Sequence, residues 1–206
     1  MNKRIAIIDY EVGNTHSVKN ALDLLGYRTI ISRREADLAS ADALILPGVG
    51  SFGEAMRNLT RLGLIGLLDH LVNQRKKAIL GICLGMQILT NRSEEDPGYD
   101  GLGWIDGEVK RIVTQNLRVP QVGWNQLNVY DRKPLFEKHQ PESHYYFDHS
   151  YHFSCDAEYV SATCCYGSEI VAAVQKENIF GVQFHPEKSH RSGLKLFRSF
   201  FNYLDI

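Results

Sequence analysis

The sequence predicts an α/β domain with a mostly parallel central sheet flanked by helices and an added antiparallel portion. Three observations predict it. From Arg4 to Ser32 an apolar run, a stretch of helical spacing and a second apolar run form a βαβ unit, which requires parallel pairing. The segment Lys77 to Thr90, KAILGICLGMQILT, reads as strand, sharp turn and helix. Between Gly107 and Val174 the helical spacing gives way to several short β-type runs.

Taken in order, Arg4 to Asp9 is a fully buried strand, and Val18, Ala21, Leu22 and Leu25 share one helical face before Gly26 ends the helix. Tyr27 to Ser32 is the second strand. The loop between the first strand and the first helix, Tyr10 to Asn14, lies where open α/β sheets place their ligands. A third strand, Ala43 to Leu46, runs into Pro47-Gly48-Val49-Gly50, whose glycines allow backbone N–H groups close to a ligand; plain turn chemistry is the alternative. Ser51 and Glu54 form a capping box before a helix holding Ala55, Met56 and Leu59, and Leu64 to Val72 is a further amphipathic helix. After Thr90 a polar, turn-rich stretch, NRSEEDPGYDGLG, is positioned to fold back over the preceding turn. The runs GEVKRIV, VPQVGWNQL, HYYFDHSYHF, VSATCCYG and IVAAVQ supply the antiparallel portion. Glu177 to Phe184 is the last strand, ended by Pro186, and Leu194, Phe197, Phe201 and Leu204 mark a closing helix. No linker or repeat interrupts residues 1–206, which predicts a single domain.

The chemistry centres on Gly81-Ile82-Cys83-Leu84-Gly85, the cysteine analogue of a nucleophile elbow. Flanking glycines let strand and helix pack closely and leave Cys83 strained and exposed, with the helix N-terminus favouring a thiolate and an oxyanion. A buried structural cysteine is the alternative. His185 and Glu187 are presented at another strand end, so that Cys83, His185 and Glu187 make a Cys-His-Glu triad: base, tautomer-fixing carboxylate and thiol nucleophile. His-Pro-Glu alone is equally a turn.

Composition narrows the partners. Hydrophobic residues at 44% and charged residues at 23% are those of a globular protein, which excludes disorder. A net charge of -1 with scattered basic residues excludes nucleic acid and an anionic membrane surface as partners. The N-terminal apolar run is too short for a signal peptide and no stretch suits a membrane span, so a cytoplasmic location is expected. Cys83, Cys155, Cys164 and Cys165 are then expected to stay reduced, Cys164 and Cys165 in the core; they lack zinc-site spacing, and neither metal nor cofactor is expected.

The set PGVGSFGEAM, GICLGMQIL, VGWN, HSY and GVQFHPEKS resembles class I (triad-type) glutamine amidotransferases, of flavodoxin-like fold. Within them it is most similar to the glutaminase subunits of imidazole glycerol phosphate synthase, from IDYEVGN to the C-terminal helix. The resemblance implies that Cys83 attacks the glutamine side-chain amide to give a γ-glutamyl thioester and ammonia, with His185 as base then acid and Glu187 orienting it. It implies an oxyanion hole from the Leu84 N–H and the Gly48-Val49 turn, completed when an N–H there reorients. Gly50, Gln87, Glu95 and the backbone around Ser150 and Tyr151 would hold glutamine. It further implies a heterodimer with a (βα)₈-barrel cyclase subunit that receives the ammonia through a tunnel in histidine biosynthesis. Asn14, Gln121, Trp124, Asn125, Tyr146 and Lys188 match its interface positions, although Asn14 also suits a helix cap, Trp124 the core and Lys188 a solvated charge. The family reads Pro-His-Met-Gly-Trp-Asn where this chain has Pro120-Gln121-Val122-Gly123-Trp124-Asn125. That departure keeps open an amidotransferase subunit making an amidino group on a surface sugar. A lone cysteine hydrolase and a non-catalytic interaction module are the remaining alternatives.

Overall fold

The computed structural model describes residues 4–131 and 133–206. In chain order its strands are β1 (Arg4–Ile8), β2 (Arg28–Ser32), β3 (Ala43–Gly48), β4 (Ala78–Cys83), β5 (Arg92–Ser93), β6 (Gly107–Arg111), β7 (Gln121–Gln126), β8 (Asn128–Val129), β9 (His144–His149), β10 (Tyr151–Cys155), β11 (Val160–Tyr166), β12 (Ser168–Lys176) and β13 (Ile179–Val182). The α-helices are α1 (Thr15–Leu24), α2 (Glu35–Ser40), α3 (Phe52–Arg61), α4 (Leu64–Asp69), α5 (Leu84–Gln87) and α6 (His190–Tyr203). Eight strands form the central sheet in the order β2-β1-β3-β4-β13-β12-β11-β8. Pairings from β2 across to β13 are parallel, and those from β13 to β8 antiparallel. The parallel sheet with an antiparallel extension is the one the sequence predicts.

The parallel strands read as unbroken apolar runs because both of their faces are covered. Ile5, Ile7, Ala43, Ile45, Leu80 and Ile82 pack on one side with Val18 and Leu22 of α1 and Phe197, Phe200 and Phe201 of α6. Ala6, Ile8, Leu44, Leu46 and Ile79 pack on the other with Leu38 of α2, Ala55 and Leu59 of α3 and Leu64 and Leu68 of α4. Because β3, β4 and β13 run the same way, their carboxyl ends meet at one edge, where Gly48 is the register partner of Cys83 and His185 follows β13.

Several elements differ from expectation for local reasons. The helix after Cys83 is a single turn rather than one reaching Leu89. The carbonyls of Ile88, Leu89 and Thr90 instead accept N–H groups of Leu102, of Trp104 and Ile105, and of Gly103. Helix α2, with Leu38 its one buried residue, was too short to show a period. The helix from Leu64 passes into a π-helical turn over His70–Gln74. The run HYYFDHSYHF divides at Ser150: β9 pairs with β7, and β10 with β6 in a three-stranded sheet completed by β5. Strand alternation buries Cys164 and exposes Cys165, so only the first belongs to the core. Among the described residues no helix is long and apolar enough to cross a membrane, and no group of three or more His, Cys, Asp or Glu could hold a metal ion.

Candidate active site

The elbow is a product of close backbone packing. Cys83 has φ 55° and ψ -111°, a strained conformation for a side chain with a Cβ. Its neighbours make the turn possible: a Cβ on Gly85 would lie 1.8 Å from the Leu46 carbonyl oxygen, and one on Gly81 would lie 2.5 Å from that of Gly85. Contrary to the exposed position expected, Cys83 is buried, at 6% relative exposure. The one-turn α5 also supplies far less dipole than a full helix. Charge at the sulfur comes instead from a side chain.

That side chain is His185. Its Nδ1 lies 2.8 Å from Oε1 of Glu187, with both side chains almost wholly buried. Burial alone lowers the imidazole pKa, but the hydrogen bonds to Cys83 and Glu187 and their charges outweigh it and raise His185 to about 10. The His185-Pro186-Glu187 turn is fastened to β9. His185 N–H donates to the Tyr146 carbonyl at 2.8 Å, and the Ser189 hydroxyl accepts from Tyr146 N–H at 3.0 Å while donating to the His185 carbonyl at 2.6 Å. The structure therefore brings Cys83, His185 and Glu187 together.

These groups border a cleft of about 280 Å³ lined by Val49, Gly50, Cys83, Leu84, Gln87, Glu95, Pro120, Asp148, His149, Ser150, Tyr151 and His185. Gly48 lies beneath it, so close to α5 that a Cβ there would meet the Gly85 nitrogen at 2.7 Å. All the residues expected to contact an oxyanion or glutamine thus surround one cavity or underlie it. The polar loop after Thr90 does fold back. Glu95 accepts from Phe52 N–H at 2.9 Å and Asp96 from Gly53 N–H at 2.7 Å, so α3 is capped by this loop together with Ser51. Burial raises the Glu95 pKa, the Phe52 N–H opposes it and the Asp96 charge adds to it. The Ser150 carbonyl accepts from Ile112 N–H, and the Tyr151 carbonyl from Gln87 and His149.

Four further neighbours of the site were given no role in the sequence analysis, although Tyr10 opens its ligand-side loop and His149 and Gln183 lie within its quoted motifs. The Tyr10 hydroxyl donates to the Pro47 carbonyl at 2.7 Å beneath the Pro47-Gly50 turn; burial, with the charges of Cys83 and Glu54, pushes its pKa far up, keeping it a donor. Asp148 offers its carbonyl 3.9 Å from the Cys83 sulfur. His149 is held near 4 by burial, so its neutral ring donates from Nδ1 to the Tyr151 carbonyl at 2.7 Å. Gln183, fully buried, places Nε2 3.7 Å from the Cys83 sulfur. Its place in GVQFHPE, two residues before His185 on a strand end, was the available clue.

The positions expected at a partner interface divide. Trp124 is about half exposed, lies edge-on to Tyr146 and stacks on His190, and the Lys188 ammonium sits over the Tyr146 ring. Asn14 caps α1 by accepting from Ser17 N–H at 3.1 Å. Asn125 donates to the Cys165 carbonyl at 2.8 Å. Gln121 is a correction: alternation along β7 turns it inward, 2% exposed beside Cys164, so it is a core residue rather than a surface contact.

Comparison with known proteins agrees with this geometry. The family model for glutamine amidotransferase class-I matches residues 6–203. The chain is 49% identical over 205 residues to imidazole glycerol phosphate synthase subunit HisH 2 of Vibrio vulnificus, covering 98% of this chain and 96% of that protein. It is 47% identical over 197 residues to subunit HisH 1 of Campylobacter jejuni, covering 95% and 98%. Among solved structures, a glutamine amidotransferase crystal structure superposes with a TM-score of 0.76 at 21% identity, covering 98% of this chain and 99% of that one. The PurLQS structure from Thermotoga maritima gives 0.76 at 24%, covering 99% and 100%. The chain belongs to the class I glutamine amidotransferases.

Proposed function

We propose that this chain is the glutaminase subunit of an imidazole glycerol phosphate synthase. The observation that carries the chemistry is the buried His185–Glu187 pair, 2.8 Å apart, beside Cys83 at a strained elbow. Cys83 Sγ adds to the carboxamide carbon of glutamine, and the negative charge on the oxygen is met by the Leu84 N–H and the Gly48-Val49 turn. His185, oriented through Nδ1 by Glu187, takes the Cys83 thiol proton on Nε2 and delivers it to the leaving nitrogen. Ammonia departs and a γ-glutamyl thioester remains. Water, deprotonated by the now neutral His185, cleaves the thioester to glutamate and restores the thiol. Gly50, Gln87, Glu95, Ser150 and Tyr151 line the cleft that holds the amino-acid portion of glutamine. Full-length similarity to subunits of imidazole glycerol phosphate synthase supports the assignment to that assembly.

The exposed Trp124, with the half-buried Tyr146 and Lys188 beside it, adjoins the His185 turn and suits a docking face for a (βα)₈-barrel cyclase that takes up the ammonia. The test is acid quench of the complex during glutamine turnover, followed by peptide mass analysis. A glutamyl adduct on the peptide holding Cys83, absent with Cys83→Ala, is expected. Glutamine turnover by Cys83→Ala would overturn the assignment.

A further inference from the structure

We infer that Gln183 is a positioning residue that keeps an N–H donor on the Cys83 sulfur and ties it to Gln87 in the glutamine cleft. The inference rests on Cys83 being the nucleophile. Gln183 has no solvent exposure, so both ends of its amide need partners within the protein. Nε2 of Gln87 lies 2.8 Å from the Tyr151 carbonyl oxygen and 3.0 Å from Gln183 Oε1. Nε2 of Gln183 lies 3.7 Å from Cys83 Sγ.

One fixed point orients the whole chain of groups. A backbone carbonyl can only accept, so Gln87 must present its NH₂ to Tyr151. The second hydrogen of that NH₂ requires an acceptor, so Gln183 must present Oε1 to Gln87. The NH₂ of Gln183 then falls on the sulfur. Turning either amide over sets donor against donor or acceptor against acceptor. The sulfur thus receives a donor whose orientation is imposed from Tyr151, two side chains away, and a donor aimed at sulfur favours the thiolate over the thiol. With both N–H groups engaged, Gln87 meets a ligand only as an acceptor, which suits the amide or ammonium of glutamine and not a carboxylate.

The titratable groups facing Cys83 are His185 and Tyr10, with Glu95, Asp148, His149 and Tyr151 around the cleft; Glu187 acts through His185. All remain when Gln183 is replaced. The experiment is the pH dependence of Cys83 alkylation by iodoacetamide in the full chain, with Cys83→Ala measuring the other cysteines, beside kcat and KM for glutamine. Gln183→Met removes both donor and acceptor at similar length. Its alkylation midpoint is expected to rise by about one pH unit, as for loss of one hydrogen bond to a charged group, with KM for glutamine raised. Gln183→Glu keeps an acceptor for Gln87 and adds charge beside the sulfur. Its midpoint is expected to rise at least as far while KM stays near the parent value. Either variant, folded with the parent's melting temperature and the parent's alkylation profile, overturns the inference. If Gln183→Met does not fold, Gln183→Glu decides. Retained glutamine turnover in Cys83→Ala would instead refute the nucleophile itself, so the two failures are distinguishable.

Discussion

At the scale of single residues, the site depends on charge placed among buried side chains at the edge of an open cleft. Glu187, the carboxylate of the proposed triad, lies 2.8 Å from His185 Nδ1. Replacing it by glutamine keeps the volume and removes the charge that holds the imidazolium. Glu187→Gln is expected to lower kcat/KM for glutamine by about 10²- to 10⁴-fold, measured by ammonia release, and to lower the melting temperature at neutral pH because the buried His185 loses its charged partner. Cys83, His185 and Glu187 were legible in the sequence because glycines and a proline mark their turns. Gln183, His149 and Tyr10 were not, because nothing in a lone buried polar residue says which distant backbone carbonyl it will meet. The inward turn of Gln121 was likewise hidden: a strand's alternation is visible, but which face is covered is decided by its neighbours.

At the scale of elements, the parallel strands were read correctly since burial on both faces leaves a continuous apolar run. The helix after Cys83 was overestimated. Met86, Ile88 and Leu89 have helical spacing, yet the segment Gly101 to Ile105 supplies the donors that a helix would have provided. HYYFDHSYHF looked like one strand because both halves are apolar and aromatic, and only the different pairings of β9 and β10 divide it. Two glycines show how element packing sets tolerance. A Cβ at Gly85 would overlap the Leu46 carbonyl at 1.8 Å, whereas one at Gly66, within α4, meets nothing within 4 Å. Gly85→Ala is expected to destabilise by at least about 3 kcal/mol or to prevent folding. Gly66→Ala is expected to stabilise by about 0.5–1 kcal/mol. Urea unfolding midpoints measure both.

At the scale of the whole molecule, two histidines bound the pH range of stability from opposite sides. His149 falls from an ordinary 6.5 to about 4 in the fold. Between those values the unfolded chain binds the additional proton, so stability declines as pH falls through that window. His185 rises from 6.5 to about 10. Its contribution is complete below about 6.5 and is lost as pH climbs towards 10. The urea midpoint is therefore expected to peak near neutrality and fall on both sides, and His149→Gln is expected to flatten the acid side; an unchanged acid side would refute the role given to His149. In the proposed function the chain acts as a subunit, whose ammonia reaches an acceptor on another chain. Glutamine hydrolysis by the purified chain, alone and then with the histidine-pathway cyclase and its bound ribonucleotide, tests that most directly. The proposal predicts stimulation of at least about tenfold, equivalent to ~1.4 kcal/mol off the barrier, abolished by Cys83→Ala. An active cyclase that leaves the rate unchanged would contradict it and direct attention to a different acceptor, such as a surface sugar.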